Sequence, residues 1–367
     1  MSNYLMKPEI KDSPLIFKVN KCISKNSHIN LPQSHISANI DDTFCLFKSI
    51  RNEYLLIFSH TIDYKNYSLI CYDLLHQELI TKRINAHKDR IYTCRHYFYK
   101  KLKSDLLITS SFDRFIKIWN ITNKFALIYR KKPDYNYKEN TYLLSENVLF
   151  YKKLYIITSA YNLFSEGFKI FFYDISKKRY RRKEIGKFNN SKNNTNFLDV
   201  YYEKDIPYIL AGNHGNIKVF DFVNQKLIKT FHDDFKNINY LSIIIKENET
   251  MKRKNLIATG QDGFLRIWDY DYYFNMLYKI KSCESWLIGL ILFDNQYLLA
   301  TSGDGTLKEY DLYNNKLVAS LEKNKNNNDN NIITKNPLFT VKSIEINGNY
   351  YLVSHSSTGD IELWKKE

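Results

Sequence analysis

Glycine and proline are scarce in this chain, at 11 and 6 of 367 residues, and its five cysteines are scattered. No C-x-x-C pair occurs, so the cysteines indicate neither a disulfide framework nor a zinc site. No apolar run reaches the roughly 18 residues that a membrane-spanning helix needs, and MSNYLMKPEIKDSP, residues 1–14, lacks the apolar core of a signal peptide. We therefore expect a soluble intracellular protein, either cytoplasmic or nuclear.

Positive charge and aromatic residues are abundant instead. Lysine and arginine outnumber the acids by 54 to 39, which gives a formal net charge of +15, and aromatics make up 16% of the chain. A surplus of this size indicates a nucleic acid, an anionic membrane or an acidic protein as partner. The abundant Lys, Asn, Tyr and Ile are also typical of an AT-rich genome, so the charge has a compositional explanation as well.

A pattern of turn, short alternating strand and aromatic residue recurs along the chain. Its clearest copies are TSSFDRFIKIWNI (109–121), TGQDGFLRIWDYD (259–271) and TSGDGTLKEYDL (301–312). An Asp-Gly turn between apolar runs favours a β-hairpin. The aromatic residues that anchor the seven copies are Tyr72, Trp119, Tyr173, Phe220, Trp268, Tyr310 and Trp364.

The spacing of these anchors predicts the fold. Neighbouring anchors are 42 to 54 residues apart, and each interval contains about four strand-like segments, which is typical of propeller blades. The chain resembles the WD-repeat β-propellers, although Trp268 is the only one of its tryptophan anchors that is followed by Asp. The resemblance implies an all-β fold, a seven-bladed β-propeller of four-stranded antiparallel blades.

The two ends of the chain are predicted to share one blade. Only three residues follow Trp364, too few for a fourth strand, whereas LIFKVNKCI (residues 15–23) is strand-like. Pairing the two ends closes the ring and removes exposed strand edges. We predict a tail over 1–13 and one propeller over 14–365, with the seventh blade formed by 338–365 plus 14–23. The polar tracts 187–196 and 322–336 are predicted to be loop insertions.

Histidine, serine and aspartate in the second repeat have the residue types of a nucleophilic triad. The resemblance to WD repeats implies a structural role instead, in which such residues form hydrogen bonds with the tryptophan of the repeat. The predicted structural sets are His87, Ser110 (or Ser111), Asp113 and Trp119, and then His232, Thr259, Asp262 and Trp268. The other blades lack the full set, so we expect aromatic packing to replace it there.

Other chemical motifs are absent from the sequence. It contains no P-loop, H-E-x-x-H or G-x-S-x-G, so we predict no enzymatic activity, no cofactor and no metal. Arg181 and Arg182 are similar to the twin arginines of phosphoinositide-binding propellers, but the flanking Phe and Gly are missing. Lipid binding is therefore a distant alternative.

We predict a non-catalytic scaffold or adaptor that is itself monomeric and that binds one or more proteins in a multisubunit complex. In a WD-repeat blade, the loops before the first strand and between the second and third strands meet at one rim, here called the top rim. The residues predicted there are Arg90, Phe112, Arg114, Tyr161, Phe164, Asn213, Gln261 and Trp286. Phe112 and Trp286 are the predicted anchors, although Trp286 could instead pack between blades.

The alternative function is an RNA- or ribonucleoprotein-associated propeller that binds anionic partners through the opposite, basic rim. Turns between first and second strands, and between third and fourth strands, lie at that rim, and Tyr180 could add stacking on a base. The basic residues predicted there are Lys100, Lys101, Lys103, Lys152, Lys153, Lys177, Lys178, Arg179, Arg181, Arg182, Lys183, Lys252, Arg253 and Lys254.

Overall fold

The computed structural model describes residues 17–24, 44–61, 66–131, 141–162, 168–174, 183–188, 197–213, 215–233, 238–248, 251–271, 276–293, 296–321, 337–356 and 361–366. Within these ranges, strands β1 (Phe17–Ser24) to β28 form seven four-stranded antiparallel sheets. Their helical content is one short 3-10 helix, Lys100–Leu102. The sheets are the blades of a β-propeller, so the predicted fold class is confirmed.

The chain divides into two compact units, of which one comprises Gln33–Ser242. Each of its four blades is a meander of strands that are consecutive in sequence. These strands are β2 (Phe44–Lys48), β3 (Tyr54–Thr61), β4 (Tyr67–Asp73) and β5 (Glu78–His87) in blade one; β6 (Ile91–Tyr99), β7 (Ser104–Ser111), β8 (Ile116–Asn120) and β9 (Ala126–Lys131) in blade two; β10 (Thr141–Tyr151), β11 (Lys153–Asn162), β12 (Phe168–Asp174) and β13 (Lys183–Phe188) in blade three; and β14 (Phe197–Glu203), β15 (Ile206–Asn213), β16 (Asn216–Asp221) and β17 (Lys226–His232) in blade four.

The other unit comprises Met1–Pro32 and Ile243–Glu367, and the division falls within β18. Two of its blades are again meanders. The strands are β18 (Ile238–Asn248), β19 (Met251–Gly260), β20 (Phe264–Asp269) and β21 (Met276–Lys281) in blade five; β22 (Leu287–Phe293), β23 (Tyr297–Ser302), β24 (Leu307–Asp311) and β25 (Lys316–Leu321) in blade six; and β26 (Leu338–Ile346), β27 (Asn349–Ser356) and β28 (Ile361–Lys366) in blade seven.

Blade seven is completed by the N-terminal strand. Its order is β1-β28-β27-β26, and β1 pairs antiparallel with β28 from Phe17 opposite Lys366 to Ser24 opposite Ile361. The predicted closure is therefore confirmed, with β1 at 17–24 where the sequence predicted 14–23. The pairing covers the edge that β28 would otherwise present.

The seven aromatic anchors all lie on the third strand of their blades. Six of them are buried, and Tyr72 is half-buried. Opposite each anchor, the second strand places an aliphatic residue, such as Leu107 opposite Trp119 and Leu256 opposite Trp268. Among the described pairings, a bulge beside the anchor interrupts the pairing of the outer strand in six blades, which leaves room for the large ring.

Burial falls from the middle of each blade to its fourth strand. Every residue of β7 and β24 is buried, whereas β5 is mostly exposed and no residue of β9 is buried. Within each unit the first strands of consecutive blades are in contact, such as β2 with β6, β10 with β14, and β22 with β26. First strands are therefore central and fourth strands form the outer edge, as in other propellers.

The predicted loop insertions are only partly covered by the described residues. Lys187 and Phe188 belong to β13, so the first tract begins two residues later than predicted. Residues 189–196 and 322–336 lie outside the described ranges.

Candidate functional site

A buried hydrogen-bond network lies at the end of blade two that carries the turn between β7 and β8. Trp119 Nε1 donates to Thr109 Oγ1 over 2.9 Å, and Thr109 Oγ1 lies 2.8 Å from His87 Nε2. His87 Nδ1 lies 2.9 Å from the Asp113 carboxylate. Asp113 also accepts from the backbone N–H groups of Lys88 and Phe115. Every polar group in the network has a partner, as buried polar groups require.

The protonation states of His87 and Asp113 set the direction of these bonds. Burial lowers the pKa of His87 and prevails over the hydrogen bond to Asp113, which raises it. Burial alone would raise the pKa of Asp113, but the bond to His87 and two backbone N–H groups bring it to about 2. A neutral His87 therefore donates from Nδ1 to an ionised Asp113, and its Nε2 accepts from the Thr109 hydroxyl.

The second-strand member of this set is Thr109, whereas the sequence predicted Ser110 or Ser111. Side chains alternate along a strand, so Thr109 shares the face of Leu107, which is paired with Trp119. Ser110 points to the other face, where its hydroxyl lies 2.6 Å from that of Thr93. Ser111 is on the correct face but donates to the Asp89 carbonyl.

The second predicted set, in blade five, takes a different form. Thr259 donates to the Ile288 carbonyl over 3.1 Å, and Asp262 pairs with both terminal nitrogens of Arg266. His232 is exposed. The predicted hydrogen bond between His232 and Asp262 was therefore wrong. Arg266 supplies a bidentate cationic partner, which a carboxylate prefers to a neutral imidazole.

Two further anchors have hydrogen-bond partners that the sequence analysis missed. Trp364 Nε1 donates to Ser354 Oγ over 2.7 Å, and the Tyr310 hydroxyl donates to Ser282 Oγ over 2.5 Å. Aromatic packing alone therefore does not replace the network in blades six and seven. The missed signal was a serine ten residues before the tryptophan, the same spacing as Thr109 and Trp119.

Three predicted top-rim residues come together on the turn of blade two. The Phe112 N–H donates to the Arg90 carbonyl, and the Arg114 N–H donates to the Ser111 carbonyl. Phe112 and Arg114 are exposed and Arg90 is half-buried. This turn rests on the Asp113 network beneath it, so a rigid support holds an exposed aromatic ring and an arginine.

Trp286 is less exposed than a surface anchor. It is half-buried, and its indole nitrogen is buried with no hydrogen-bond partner among the described residues. It packs against Gly303, where an added Cβ would lie 2.0 Å from Nε1. Of the two predicted interface anchors, Phe112 is therefore the more accessible to a partner. Gln261 lies half-buried in the turn between β19 and β20.

The remaining predicted top-rim residues are described in part or not at all. Tyr161 and Asn213 lie at the ends of β11 and β15, and their side chains are outside the description. Phe164 lies outside the described ranges.

The basic rim is described at four places. Lys100 begins the 3-10 helix between β6 and β7, and Lys103 follows that helix. Lys152 lies between β10 and β11, and Lys183 begins β13. All four lysines are exposed. Lys153 pairs with Asp174 at 3.5 Å. The segment that contains Lys177, Lys178, Arg179, Arg181 and Arg182 lies outside the described ranges, and the side chain of Lys101 is also not described.

Lys252, Arg253 and Lys254 were predicted in a turn but belong to β19. Lys254 lies 3.9 Å from Asp271 and 5.9 Å from the ring of Tyr270. A hairpin longer than expected explains the difference, because β18 and β19 extend past the predicted turn.

An unpredicted contact links blades one and two at the basic-rim end. The Asp105 carboxylate lies 2.8 Å from His96 Nε2 and accepts from the Ile50 N–H over 2.9 Å. The His96 ring stacks on Phe47, with centroids 3.7 Å apart. The contacts with blade one join residues that are far apart in sequence, Ile50 with Asp105 and Phe47 with His96, so no spacing pattern could have indicated them.

Metal-binding and membrane-spanning features were searched in the described part of the chain. That part contains no group of three or more His, Cys, Asp or Glu residues that could hold a metal ion. None of its helices has the length and apolar character to cross a membrane.

Comparison with known proteins agrees with this architecture. The family model "WD domain, G-beta repeat" matches residues 78–120, which run from β5 through β8 and include the whole Asp113 network. Together with the seven four-stranded blades, this match supports the predicted WD-repeat β-propeller family.

One relative adds a weaker similarity. The chain is 28% identical over 149 residues to the "CCR4-associated factor 4 homolog" of Vanderwaltozyma polyspora. The aligned part covers 36% of this chain and 21% of that protein, so the chain spans about a fifth of the length of the relative.

Proposed function

We propose that this chain is a non-catalytic scaffold that binds protein partners within a multisubunit complex. The observation that carries the proposal is the turn of blade two, where Phe112 is 47% exposed beside Arg114. Aromatic residues and arginine are enriched at the centres of protein interfaces. A rigid turn loses little conformational entropy when a partner binds to it.

The triad-like residues support a structural role rather than catalysis. Thr109 is fully buried, and its hydroxyl is already engaged with both Trp119 and His87. A catalytic nucleophile must be able to reach the substrate, and a catalytic base must be able to accept the proton of the nucleophile. The hydrogen-bonding groups of Thr109, His87 and Asp113 are therefore satisfied within the blade.

The similarity to a relative named for association with CCR4 points in the same direction. That name places the relative beside another protein, and WD-repeat propellers generally act as platforms in complexes. We take from it only the expectation that this chain is also a subunit of a complex, because function resides in loops that the fold does not determine.

The test is affinity purification of the tagged chain from native cells, with and without nuclease, followed by mass spectrometry. We expect protein partners that remain after nuclease treatment and that decrease at least about ten-fold with the F112A/R114A variant. Tyr313, exposed on a turn of blade six, provides the control Tyr313→Ala. Partners that F112A/R114A retains in full would remove this turn from the interface, and recovery of no stable partner would refute the scaffold function.

A second candidate function is RNA binding at the basic rim, and exposed aromatic residues there favour it. Phe150 and Tyr202 are 39% and 43% exposed, and the Tyr202 hydroxyl accepts from the Phe150 N–H. Lys152 Nζ lies 5.3 Å from the ring of Tyr151. Positive charge alternating with aromatic rings is the composition of single-stranded nucleic-acid sites.

The measurement for this candidate is the salt dependence of binding to a single-stranded RNA oligonucleotide. Each phosphate contact should contribute about 0.7 to the slope of log affinity against log salt. Replacing Lys100, Lys103 and Lys152 by Gln should flatten the slope, whereas replacing Lys279, which lies within strand β21 and not in a turn of the basic rim, should leave it unchanged. A slope unaffected by the triple variant would exclude these lysines from an RNA site.

A further inference from the structure

Four blades place a cation two residues before the aromatic anchor of the third strand. In blades five and six this cation is neutralised inside its own blade. Arg266 forms an ion pair with Asp262, and Lys308 Nζ lies 2.8 Å from the carboxylate of Asp304. In both cases the acid comes from the turn just before the strand, so a buried cation has a local carboxylate, as burial of charge requires.

Blade two breaks this pattern, although it has the turn acid. There Asp113 is engaged by His87 and by backbone N–H groups. Lys117, the equivalent cation, donates instead to the Ala86 carbonyl. No described carboxylate lies within ion-pair distance of Lys117, so its charge is only partly compensated.

Three exposed cations surround this buried lysine. The Arg130 guanidinium lies 3.9 Å from the centre of the Phe115 ring, and the Arg83 guanidinium lies 5.6 Å from that of Trp119. Lys88 follows His87 directly. Burial lowers the pKa of Lys117, and the charges of these three residues lower it further against the attraction of Asp113. None of the three forms an ion pair with any residue that the structure describes.

Blade five has the same framework with the charges balanced. Phe264 is surrounded by Arg266, Lys279 and Lys281, at 5.3, 5.2 and 5.0 Å from its ring centre. Arg266 has its turn acid, and Lys281 lies 3.2 Å from Glu284. Arg266 and Lys281 thus have carboxylate partners in blade five, whereas in blade two four cations share one carboxylate that is bonded to a histidine.

We propose that Arg83, Lys88, Lys117 and Arg130 bind an anionic group, either a phosphorylated side chain or a run of carboxylates, in a segment of a partner protein. This inference rests on the proposed scaffold function and gives the partner a chemistry. Arginine presents paired N–H donors that fit phosphate and carboxylate oxygens. Lys117 adds a buried positive charge, which water and salt screen less than an exposed charge.

The aromatic rings of the cluster favour a protein segment over RNA. Single-stranded nucleic-acid sites combine positive charge with ring faces on which bases stack. Here Arg130 already lies on Phe115, and Trp119 is 1% exposed. The cluster thus offers charge without a ring face for a base.

The test measures fluorescence anisotropy with three short labelled Gly-Ser peptides, one with a central phosphothreonine, one with a central run of Glu, and one with neither. We expect the phosphothreonine or Glu peptide to bind at least about ten-fold more tightly than the neutral one, and salt to weaken that binding. The stronger of the two charged peptides identifies the source of the anion.

Two variants make the assignment specific. R83Q/R130Q removes exposed cations and should reduce binding of the charged peptide by about ten-fold while the melting temperature is unchanged. K279Q removes the residue of blade five that is equivalent to Arg130, since both pair with the third-strand cation, and should leave binding unchanged. Equal affinity for all three peptides, or equal losses in both variants, would overturn the proposal.

A competing RNA oligonucleotide completes the design. Displacement of the charged peptide by single-stranded RNA at lower concentration than by unlabelled peptide would also overturn the proposal, in favour of RNA at this cluster. Protein partners that co-purify after nuclease treatment while no charged peptide binds would refute this inference and leave the scaffold function intact. Binding of a charged peptide without any co-purified protein partner would refute the scaffold function and leave the anion site intact.

Discussion

The imidazole of His87 and the carboxylate of Asp113 lie 2.9 Å apart and carry unequal charges. Burial keeps the histidine neutral, while the hydrogen bond from its Nδ1 helps to keep the aspartate ionised. The donors therefore run in one direction, from Trp119 through Thr109 and His87 to Asp113. A proton added at His87 Nε2 would take away the acceptor of the Thr109 hydroxyl.

The stability of the protein should fall as the pH drops below about 6.5. In the unfolded chain His87 takes up a proton near its ordinary pKa of 6.5, whereas the folded chain, whose pKa at this site is lower, does not. The unfolded state then binds more protons, so the free energy of unfolding decreases by up to about 1.4 kcal/mol per pH unit for this group. The measurement is urea denaturation between pH 7.5 and 5.

The variant His87→Gln separates this effect from that of other histidines. Burial also lowers the pKa of His96, so part of the pH dependence should remain in the variant. We expect H87Q to be less stable than the wild type at pH 7.5 but to lose less stability toward pH 5. An unchanged slope in H87Q would show that His87 does not titrate as inferred. Asp113, whose pKa falls from 3.8 to about 2, should add a second loss below pH 3.8.

Replacing Thr109 by Val should destabilise blade two by about 2 kcal/mol or more. The change keeps the shape of the side chain but leaves Trp119 Nε1 without an acceptor and His87 Nε2 without a donor, both in a buried site. Thr109→Ser retains the hydroxyl and serves as the control, with a smaller loss that reflects one missing methyl group. A T109V variant as stable as T109S in urea denaturation would contradict the assigned network.

The fold was predictable from sequence because each blade repeats one local rule. An aromatic residue on the third strand, opposite an aliphatic residue, recurs at 42 to 54 residues and needs no long-range information. The closing strand was also predictable, because residues 15–23 are strand-like and are not needed by the first blade. The bounds of β1 and β19 were less accurate, since strand ends depend on pairing partners that sequence periodicity does not specify.

The details of the site were less predictable, because they depend on competition among partners. The sequence contains Thr109, Ser110 and Ser111 together, and only the register of β7 against β8 selects the threonine. Likewise Asp262 and Asp113 occupy equivalent turns, yet one binds an arginine and the other a histidine. The Asp105 to His96 contact and the cation cluster join residues from different strands, so their proximity follows from the fold.

Gly303→Ala should destabilise blade six by about 1–3 kcal/mol. A Cβ at this position would lie 2.0 Å from Trp286 Nε1 and 2.2 Å from Ser285 Oγ, and the indole is too rigid to move aside. In a double-mutant cycle, the cost of G303A should shrink in a Trp286→Ala background, because the obstacle is then removed. Equal costs in both backgrounds, measured by thermal unfolding, would place the strain elsewhere.

Deleting residues 1–24 should unpair blade seven. The deletion removes β1, which is paired with β28 from Phe17 to Ser24, and so exposes the backbone N–H and C=O groups along one edge of β28. Exposed edges pair with other chains, so we expect aggregation by size-exclusion chromatography and a lower melting temperature. Deleting residues 1–13, which precede β1, should leave both properties unchanged. If the longer deletion gave a monodisperse protein with an unaltered melting temperature, the pairing of β1 would contribute little, and closure of the last blade would have to rest on its three other strands.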